Sequence, residues 1–177
     1  METGVTIKRD ATLFQKMMQG FKFLQEAEVF VGIPQEKDSR RGTISNAELL
    51  YIHTNGSPIN HIPPRPVIEP ALRDPDVRKQ VQQQLGASMR KALIGNVNAS
   101  EAEMAKAGMI AVAAIQKRFG SEELAPNAPI TIHGGWMHNH VSGKLFYVKG
   151  KGSSAPLIDT GALRQSITWT IRRGWKR

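Results

Sequence analysis

The spacing of hydrophobic residues changes along the chain, and each spacing predicts a different element. Near the N-terminus these residues recur at helical intervals, which predicts an amphipathic helix over 10–26. Residues 28–33 then alternate between apolar and polar positions up to Pro34, which predicts a strand. The helical stripe comprises Leu13, Met17, Phe21 and Leu24, widened by Phe14 and Met18.

Capping signals predict three further helices in the middle of the chain. An oxygen-bearing side chain before the first turn can satisfy the backbone N–H groups that open a helix, and a following Pro or Glu strengthens the signal. The predicted helices with their start signals are 46–53 with Ser45 and Glu48, 75–94 with Asp74 and Pro75, and 100–119 with Ser100 and Glu103.

Two stretches in this middle region bear on how the molecule covers its apolar surface. Residues 57–66 contain Pro58, Pro63, Pro64 and Pro66, which exclude regular structure and predict a stiff arm that crosses a surface. The predicted helix is apolar on every side from Met109 to Ile115 and therefore needs cover all round. Either the interior of the domain or a neighbouring subunit can supply that cover, and the sequence leaves both open.

The region from residue 126 to residue 172 has the pattern of strands and turns. Together with the strand that follows the first helix, its strands would form a small mixed or antiparallel sheet packed against the two long helices. The predicted fold class is therefore α+β, in a single domain that covers 1–177 with an N-terminal helix and a Pro-rich arm. The predicted strands are 28–33, 130–132, 144–149 and 166–172.

The tripeptide Asp159-Thr160-Gly161 admits two interpretations. With its neighbours it looks like an aspartic-protease active site, which needs two carboxylates about 3 Å apart that share a proton. One copy per chain would require a dimer and a fold made almost entirely of strands, whereas this chain devotes its middle to helices. We favour a structural turn, in which Asp159 caps a short helical turn ahead of the last strand.

Composition narrows the candidate chemistry. The net charge of +9 indicates affinity for polyanions, although no helix-turn-helix or zinc-finger signature accompanies it. The chain has no cysteine, and no apolar run approaches the roughly 20 residues that cross a bilayer, so no membrane partner is expected. His133, His138 and His140 fall in a Gly-rich stretch that we interpret as a mobile loop rather than a metal site. We therefore expect no catalytic residues, no cofactor and no metal.

Several motifs occur in a fixed order along the chain. They are Ile52-His53-Thr54-Asn55-Gly56-Ser57-Pro58, Ile62-Pro63-Pro64-Arg65-Pro66, Ile68-Glu69-Pro70-Ala71-Leu72, Ala125-Pro126-Asn127-Ala128-Pro129-Ile130-Thr131, and Gly150 to Leu163 followed by Ser166-Ile167-Thr168. In this order they resemble the neck or tail-completion proteins of tailed bacteriophages, a family similar to the minor tail protein Z of lambda-like phages. The resemblance covers roughly residues 28–172. It departs at Val67, where the family usually has an aromatic residue, and at 133–148, which looks like an insertion.

The resemblance implies an α+β subunit of the virion that forms a homo-oligomeric ring at the head–tail joint, with no enzymatic activity and no cofactor. We expect a hexamer rather than a dodecamer, assembled in the host cytoplasm. Its expected partners are the head connector or head-closure proteins, the tail terminator or tail tube proteins, and packaged DNA through non-specific contacts. The alternatives are a tail terminator ring and a basic DNA-binding accessory protein, with a dimeric aspartic protease as a further possibility.

A protein that works by assembly is expected to have interface residues in place of an active site. The candidates belong to the Pro-rich arm, whose fixed dihedrals lose little entropy on docking, to the apolar helix, to a basic loop over 149–151, and to a basic tail over 172–177. They are Ile62, Pro63, Pro64, Arg65, Pro66, Met109, Ile110, Lys149, Lys151, Arg172, Arg173 and Lys176.

Overall fold

The computed structural model describes residues 11–38, 44–139 and 142–174. Within these ranges it has seven α-helices and four β-strands, which confirms the predicted α+β class. A 3-10 turn over Gln35–Lys37 follows the first strand. The elements are α1 Ala11–Glu26, β1 Ala27–Gly32, α2 Asn46–Asn55, α3 Ile68–Arg73, α4 Pro75–Leu93, α5 Val97–Arg118, α6 Pro129–His133, β2 Gly135–His138, β3 Leu145–Val148, α7 Ala162–Ser166 and β4 Thr168–Arg173.

The described strands form two separate antiparallel pairs, so the prediction of one sheet is wrong. β1 pairs with β4, from Ala27 opposite Arg173 to Gly32 opposite Thr168. β2 pairs with β3 in a hairpin that stands apart from the first pair. The predicted strand over 130–132 is instead the helix α6, because Pro129 stands at its first turn, where the fixed φ of proline suits a helix.

The β1–β4 pair packs on α5 through Trp169. A Cβ atom added at Gly108 of α5 would lie 2.8 Å from this side chain, so the ring lies directly on the helix backbone. Ile167, which precedes β4, is buried. Ile171 packs against a hydrophobic cluster that includes Phe23 and Met104. The predicted inward face of Ile167, Trp169 and Ile171 is therefore confirmed, although the strand begins at Thr168 and residue 166 ends α7.

Two hydrophobic clusters lie toward opposite ends of α5. The first surrounds Met104 and includes Phe23 of α1 and Ala92 of α4. The second surrounds Ile115 and Phe119 with side chains from α2, α3 and α7. In the apolar stretch 109–115, Ala111 and Ile115 are buried whereas Met109 and Ala113 are exposed, so the chain itself covers this stretch only in part. None of the helices in the described ranges combines the length and apolar character that a membrane-spanning segment requires.

Helix α1 crosses α4 at a close contact of their backbones. A Cβ atom at Gly20 would fall 1.9 Å from the carbonyl oxygen of Ala92, and only glycine permits this approach. One turn earlier, Lys16 lies against Gly95, just beyond the end of α4. The helices therefore run antiparallel, and the first turns of α1 extend past the α4–α5 connection.

The predicted helix starts are correct at two of the three positions. Ser45 and Glu48 form the expected capping box of α2. Asp74 caps α4 by accepting hydrogen bonds from the backbone N–H groups of Asp76 and Val77, at 2.9 and 3.2 Å. The expected helices end within two residues of the observed ones, at Asn55 and Leu93.

The predicted capping box of Ser100 and Glu103 is wrong. Helix α5 begins earlier, at Val97, and its cap is Asn96, whose side-chain oxygen accepts from the N–H of Ala99 at 3.1 Å. Ser100 is buried and shares a hydrogen bond of 2.8 Å with Ser88 of α4. The Glu103 carboxylate is also buried and accepts from Lys91 and Lys106, which lowers its pKa from the usual value. Both side chains therefore join α5 to its surroundings rather than cap it.

Candidate functional site

Three segments meet beside the C-terminal end of α5, and we call this meeting place the junction. They are the end of α2 with the irregular chain that follows it, over 53–66, and two irregular segments over 120–128 and 150–160. Arg65 lies at the centre of the junction, with only 6% of its surface exposed. Its Nε and Nη2 atoms donate to the carbonyl oxygens of Ala125 and Pro126, both at 2.6 Å. Its backbone N–H donates to the carbonyl oxygen of His53, also at 2.6 Å. Burial lowers the pKa of this guanidinium. One side chain thus joins two distant parts of the chain.

The loop that delivers Arg65 is closed by local geometry. Gly56 ends α2 with φ +74°, and a Cβ atom there would lie 2.7 Å from the carbonyl oxygen of Ile62. Ser57 and Ile62 exchange backbone hydrogen bonds of 2.8 and 2.9 Å, which form a β-bridge. Pro64 and Pro66 then hold the chain extended on both sides of the arginine. Arg65 therefore enters the junction from a fixed backbone.

Asn127 and Lys151 complete the junction. The amide of Asn127 donates to the carbonyl oxygens of Ser154 and Ala155, at 2.9 and 3.2 Å. The ammonium of Lys151 donates to the carbonyl oxygens of Ala155 and Ile158, at 2.5 and 2.7 Å. These bonds clamp the loop on both sides of Leu157, which holds a left-handed φ of 61° that non-glycine residues rarely adopt.

Three effects act on the pKa of Lys151, and they do not all act in the same direction. Burial, the largest effect, lowers the pKa of the ammonium. The carboxylate of Asp159 acts in the opposite direction, and the guanidinium of Arg65 acts in the same direction as burial. Lys151 is thus a half-buried structural cation whose ammonium is bonded within the chain, which leaves it unsuited to the predicted contact with a neighbouring molecule. Its neighbour Lys149 is exposed.

A groove of about 570 Å³ lies over the junction. Its polar lining includes Asn46, His53, Asn127, Thr131, Lys149, Lys151, Asp159 and Thr160. Among these described lining residues Asp159 is the one carboxylate, so the groove of a single copy offers half of an aspartic-protease dyad. Over the described ranges, no three side chains of the His, Cys, Asp or Glu types come together as a metal site would need.

The predicted capping role of Asp159 is wrong. Helix α7 starts after Gly161, which has φ +79°, and it has no side-chain hydrogen bond at its cap. Asp159 is exposed, and the nearby hydroxyl of Thr160 accepts from the N–H of Ala162 at 3.3 Å. The left-handed glycine therefore turns the chain, and Asp159 contributes its charge beside Lys151. The structural turn itself is present, and a short helix separates it from β4.

The structure places the predicted residues of the arm and of α5 in different environments. Ile62, Pro63 and Pro66 are half-buried, and Pro64 is exposed. Arg65 is occupied inside the junction, which leaves its side chain unsuited to contacts with another molecule. On α5, Met109 is half exposed and Ile110 is half-buried.

The predicted basic tail begins as a strand. Arg172 and Arg173 belong to β4 and interact with acidic and aromatic side chains of the same chain. Arg172 lies 5.6 Å from the ring of Phe30 and 3.8 Å from Glu36. Arg173 bonds Glu101 at 2.5 Å and stacks over Phe23. Lys176 lies outside the described residues.

Two exposed apolar surfaces were not predicted from the sequence. The first, which we call the α1 face, consists of Leu13, Phe14, Met18 and Phe21. Phe14, Met18 and Phe21 form a stripe beside the line of Met17, Gly20 and Leu24, which is more buried, and Leu13 continues that line towards the start of the helix. Helix α1 is therefore apolar on two adjacent faces. The sequence shows the hydrophobic stripe of α1, but it does not show which of these side chains the rest of the chain buries.

The second surface, the hairpin face, is formed by Trp136, His138, Leu145 and Tyr147. In the β2–β3 register Trp136 is opposite Tyr147 and His138 is opposite Leu145, so all four side chains share one side of the pair. The Trp136 and Tyr147 rings meet edge to face at 5.5 Å, and Trp136 is 66% exposed. The interpretation of the His-rich stretch as a mobile loop is therefore wrong for β2. The continuous apolar run Leu145–Val148 was the available signal.

Comparisons of this chain with protein-family models, with curated proteins and with solved structures found no match.

Proposed function

We propose that this chain is a structural virion protein that forms a ring at the phage head–tail joint, where the tail meets the head connector. In that role it surrounds the DNA path and contacts the proteins above and below it. Its function is assembly, without enzymatic activity.

The observation that carries the proposal is where the family-like motifs lie in the fold. The motif around His53 and the arm motif with Arg65 are near neighbours in the sequence, whereas the motif over 125–131 and the one that begins at Gly150 lie far from them. Arg65, Asn127 and Lys151 bring all four together in the junction. A chance resemblance in the order of the motifs gives no reason for the motifs to be joined by direct hydrogen bonds. Motifs that belong to one common fold are expected to be joined in this way.

The exposed apolar surfaces support an assembled state. Phe14 on α1 and Trp136 on the hairpin are each about two-thirds exposed, although a short chain gains stability by burying such side chains. Contiguous exposed apolar patches mark sites of association. The chain is therefore completed by contacts with other molecules.

Mass photometry and negative-stain microscopy of the purified chain, alone and with tails, test this proposal. We expect ring-shaped particles whose mass is a multiple of the 19.6 kDa of one chain, with six copies favoured over twelve. A chain that stays monomeric under all these conditions would contradict the proposal. A ring that binds finished tails but no head connector would favour the tail terminator alternative.

The net charge of +9 favours one alternative of another class, a DNA-binding accessory protein that acts outside the virion. Arg172 and Arg173 give this alternative little support, because they already form ion pairs with acidic side chains of the same chain. A stable monomer that binds duplex DNA tightly, with an affinity that falls steeply as salt rises, would support it over the ring.

A further inference from the structure

We infer that copies of this chain join head to tail, with the hairpin face of one copy seated on the α1 face of the next. This inference deepens the proposed ring, on which it rests, by naming the two surfaces that form each joint. It follows from the positions, sizes and composition of the two faces.

The two faces lie at opposite ends of the molecule. The α1 face begins beyond the connection between α4 and α5 and runs back beside the last turn of α4, at the N-terminal end of α5. The hairpin is held at the other end, where Gly150 packs against Gly134 and Gly120 donates to Pro156 beside the end of α5. The 22 residues of α5 span about 33 Å between them. One copy therefore does not cover its own α1 face with its own hairpin.

The faces match in length and in chemistry. Leu13 to Phe21 spans about 12 Å along the helix, and four-residue strands extend about 10 Å. The α1 face has no charged side chain, and His138 is the one titratable group of the hairpin face besides the phenol of Tyr147. Pressing the faces together therefore buries no fixed charge, as expected for the centre of an interface.

The exposed area is sufficient for a stable joint. Seven large apolar side chains of the two faces are exposed by about half. Since such a side chain presents about 150–250 Å², they leave on the order of 700 Å² of apolar surface for burial. That is close to half of the ~1,600 Å² of a standard interface, the share that the apolar part usually holds.

A contact between two different faces can repeat from copy to copy, whereas a contact between two identical faces joins only two copies. A hairpin-to-hairpin contact would close as a dimer and leave every α1 face uncovered. A hairpin-to-α1 contact covers both faces of every copy and continues from copy to copy. It ends when the chain of copies closes into a ring.

The test uses full-length variants that each block one face. Phe14→Glu places a charge in the α1 face, and Trp136→Glu places one in the hairpin face. We expect either variant alone to be monomeric by mass photometry, with association weakened roughly 100-fold or more. Mixed in equal amounts they should form a heterodimer, because one variant keeps a working hairpin and the other a working α1 face.

Matched controls place the same charge on the opposite sides of the same elements. Gln15→Glu lies on the polar side of α1, and Phe146→Glu lies on the other side of β3. Both should assemble like the wild type. Circular dichroism confirms that all four variants are folded, and replacement by Ser at the same positions provides milder variants if a Glu variant fails to fold.

The outcomes separate this inference from the proposed function. Wild-type rings that persist in both blocked variants would overturn the joint and leave the ring standing. Folded blocked variants that stay monomeric when mixed would also overturn it. Open filaments of the wild type, abolished by both changes, would support the joint and contradict the ring. A monomeric wild type would overturn both, whether another protein or the same chain covers the α1 face.

Discussion

The junction and the β2–β3 hairpin adjoin each other in the fold but are held in opposite ways. The junction has irregular backbone, yet Arg65, Asn127 and Lys151 fix it through donors aimed at backbone carbonyls. The hairpin has regular strand pairing, yet its aromatic side chains face outward. An isolated two-stranded hairpin is only marginally stable in water. Regular backbone therefore does not measure how firmly a segment is held in one copy.

The difference separates two uses of the same region. The junction builds the subunit, because its donors satisfy carbonyl groups that the fold takes away from water. The hairpin offers apolar side chains that the subunit leaves uncovered, and their burial requires another molecule. Changes in the junction should thus act on stability, and changes in the hairpin should act on assembly.

The largest expected effect comes from removing the centre of the junction. Arg65→Ala leaves the carbonyl oxygens of Ala125 and Pro126 without their charged donors and should cost about 3 kcal/mol of unfolding free energy. Arg65→Lys should recover little of this, because one ammonium does not reproduce the planar fork that reaches both oxygens. Urea unfolding monitored by circular dichroism measures both changes.

Arg73→Ala is the matched control for Arg65. Its guanidinium pairs with Glu69 on the surface of α3 and is 77% exposed, so its removal should change the unfolding free energy by less than about 1 kcal/mol. If Arg65→Ala lowers the unfolding free energy no more than Arg73→Ala does, the side chain of Arg65 does not stabilise the junction. The junction would then not differ from the hairpin in how firmly its side chains hold it.

The next effect concerns two glycines inside long helices, which should respond with opposite signs. Gly108→Ala pushes a methyl group into Trp169, at 2.8 Å, and should destabilise by about 1–3 kcal/mol. Gly86→Ala in α4 meets only the end of Arg90, at 3.6 Å, and should stabilise by about 1 kcal/mol through helix propensity. The same urea experiment tests both. Equal effects would show that the β1–β4 pair does not press on α5.

The sequence predicted the regular elements where pattern and local chemistry agree. The α1 stripe, the alternation of β1, and the caps at Ser45 and Asp74 all depend on residues close together in the chain. The Ser100 and Glu103 pair has the same local form, yet both side chains point into the contact with α4. Tertiary packing decided between two uses of the same residues, and no local pattern records that choice.

The candidate site was harder to predict, because its bonds join segments far apart in the sequence. Arg65 and Ala125 are 60 residues apart, and an arginine between two prolines gives no sign of its partner. A glycine inside a helix ordinarily costs helix propensity, yet the missing side chain of Gly20 is what lets α1 lie on Ala92. The apolar residues of α1 and β3 were visible in the sequence, but their exposure depends on what the rest of the chain leaves uncovered.

A third prediction sharpens the contrast from the side of the hairpin. Trp136→Ala removes its edge-to-face contact with Tyr147, which is worth about 0.5–1.5 kcal/mol within the hairpin. Because the apolar side chains of the hairpin face are exposed by more than half, we expect the unfolding free energy of the monomer to change by less than about 1 kcal/mol. Urea titrations at several protein concentrations measure it, since assembly adds a concentration-dependent contribution that the monomer lacks. A loss as large as that of Arg65→Ala would make the hairpin part of the subunit core.

The smallest expected effect is that of removing Asp159, and it is measured against Asp74, because the sequence predicted both aspartates as helix caps. Asp74 caps α4 with two hydrogen bonds, so Asp74→Ala should cost about 1 kcal/mol of unfolding free energy. Asp159 is exposed and makes no cap on α7, so Asp159→Ala should cost less than about 0.5 kcal/mol. Its removal also takes away the carboxylate that opposes the lowering of the pKa of Lys151, which should fall further. Equal costs for the two aspartates would restore Asp159 as a cap. A peptide-cleaving activity that Asp159→Asn abolishes would instead restore the protease interpretation, which requires a second copy to bring its own Asp159 close to the first.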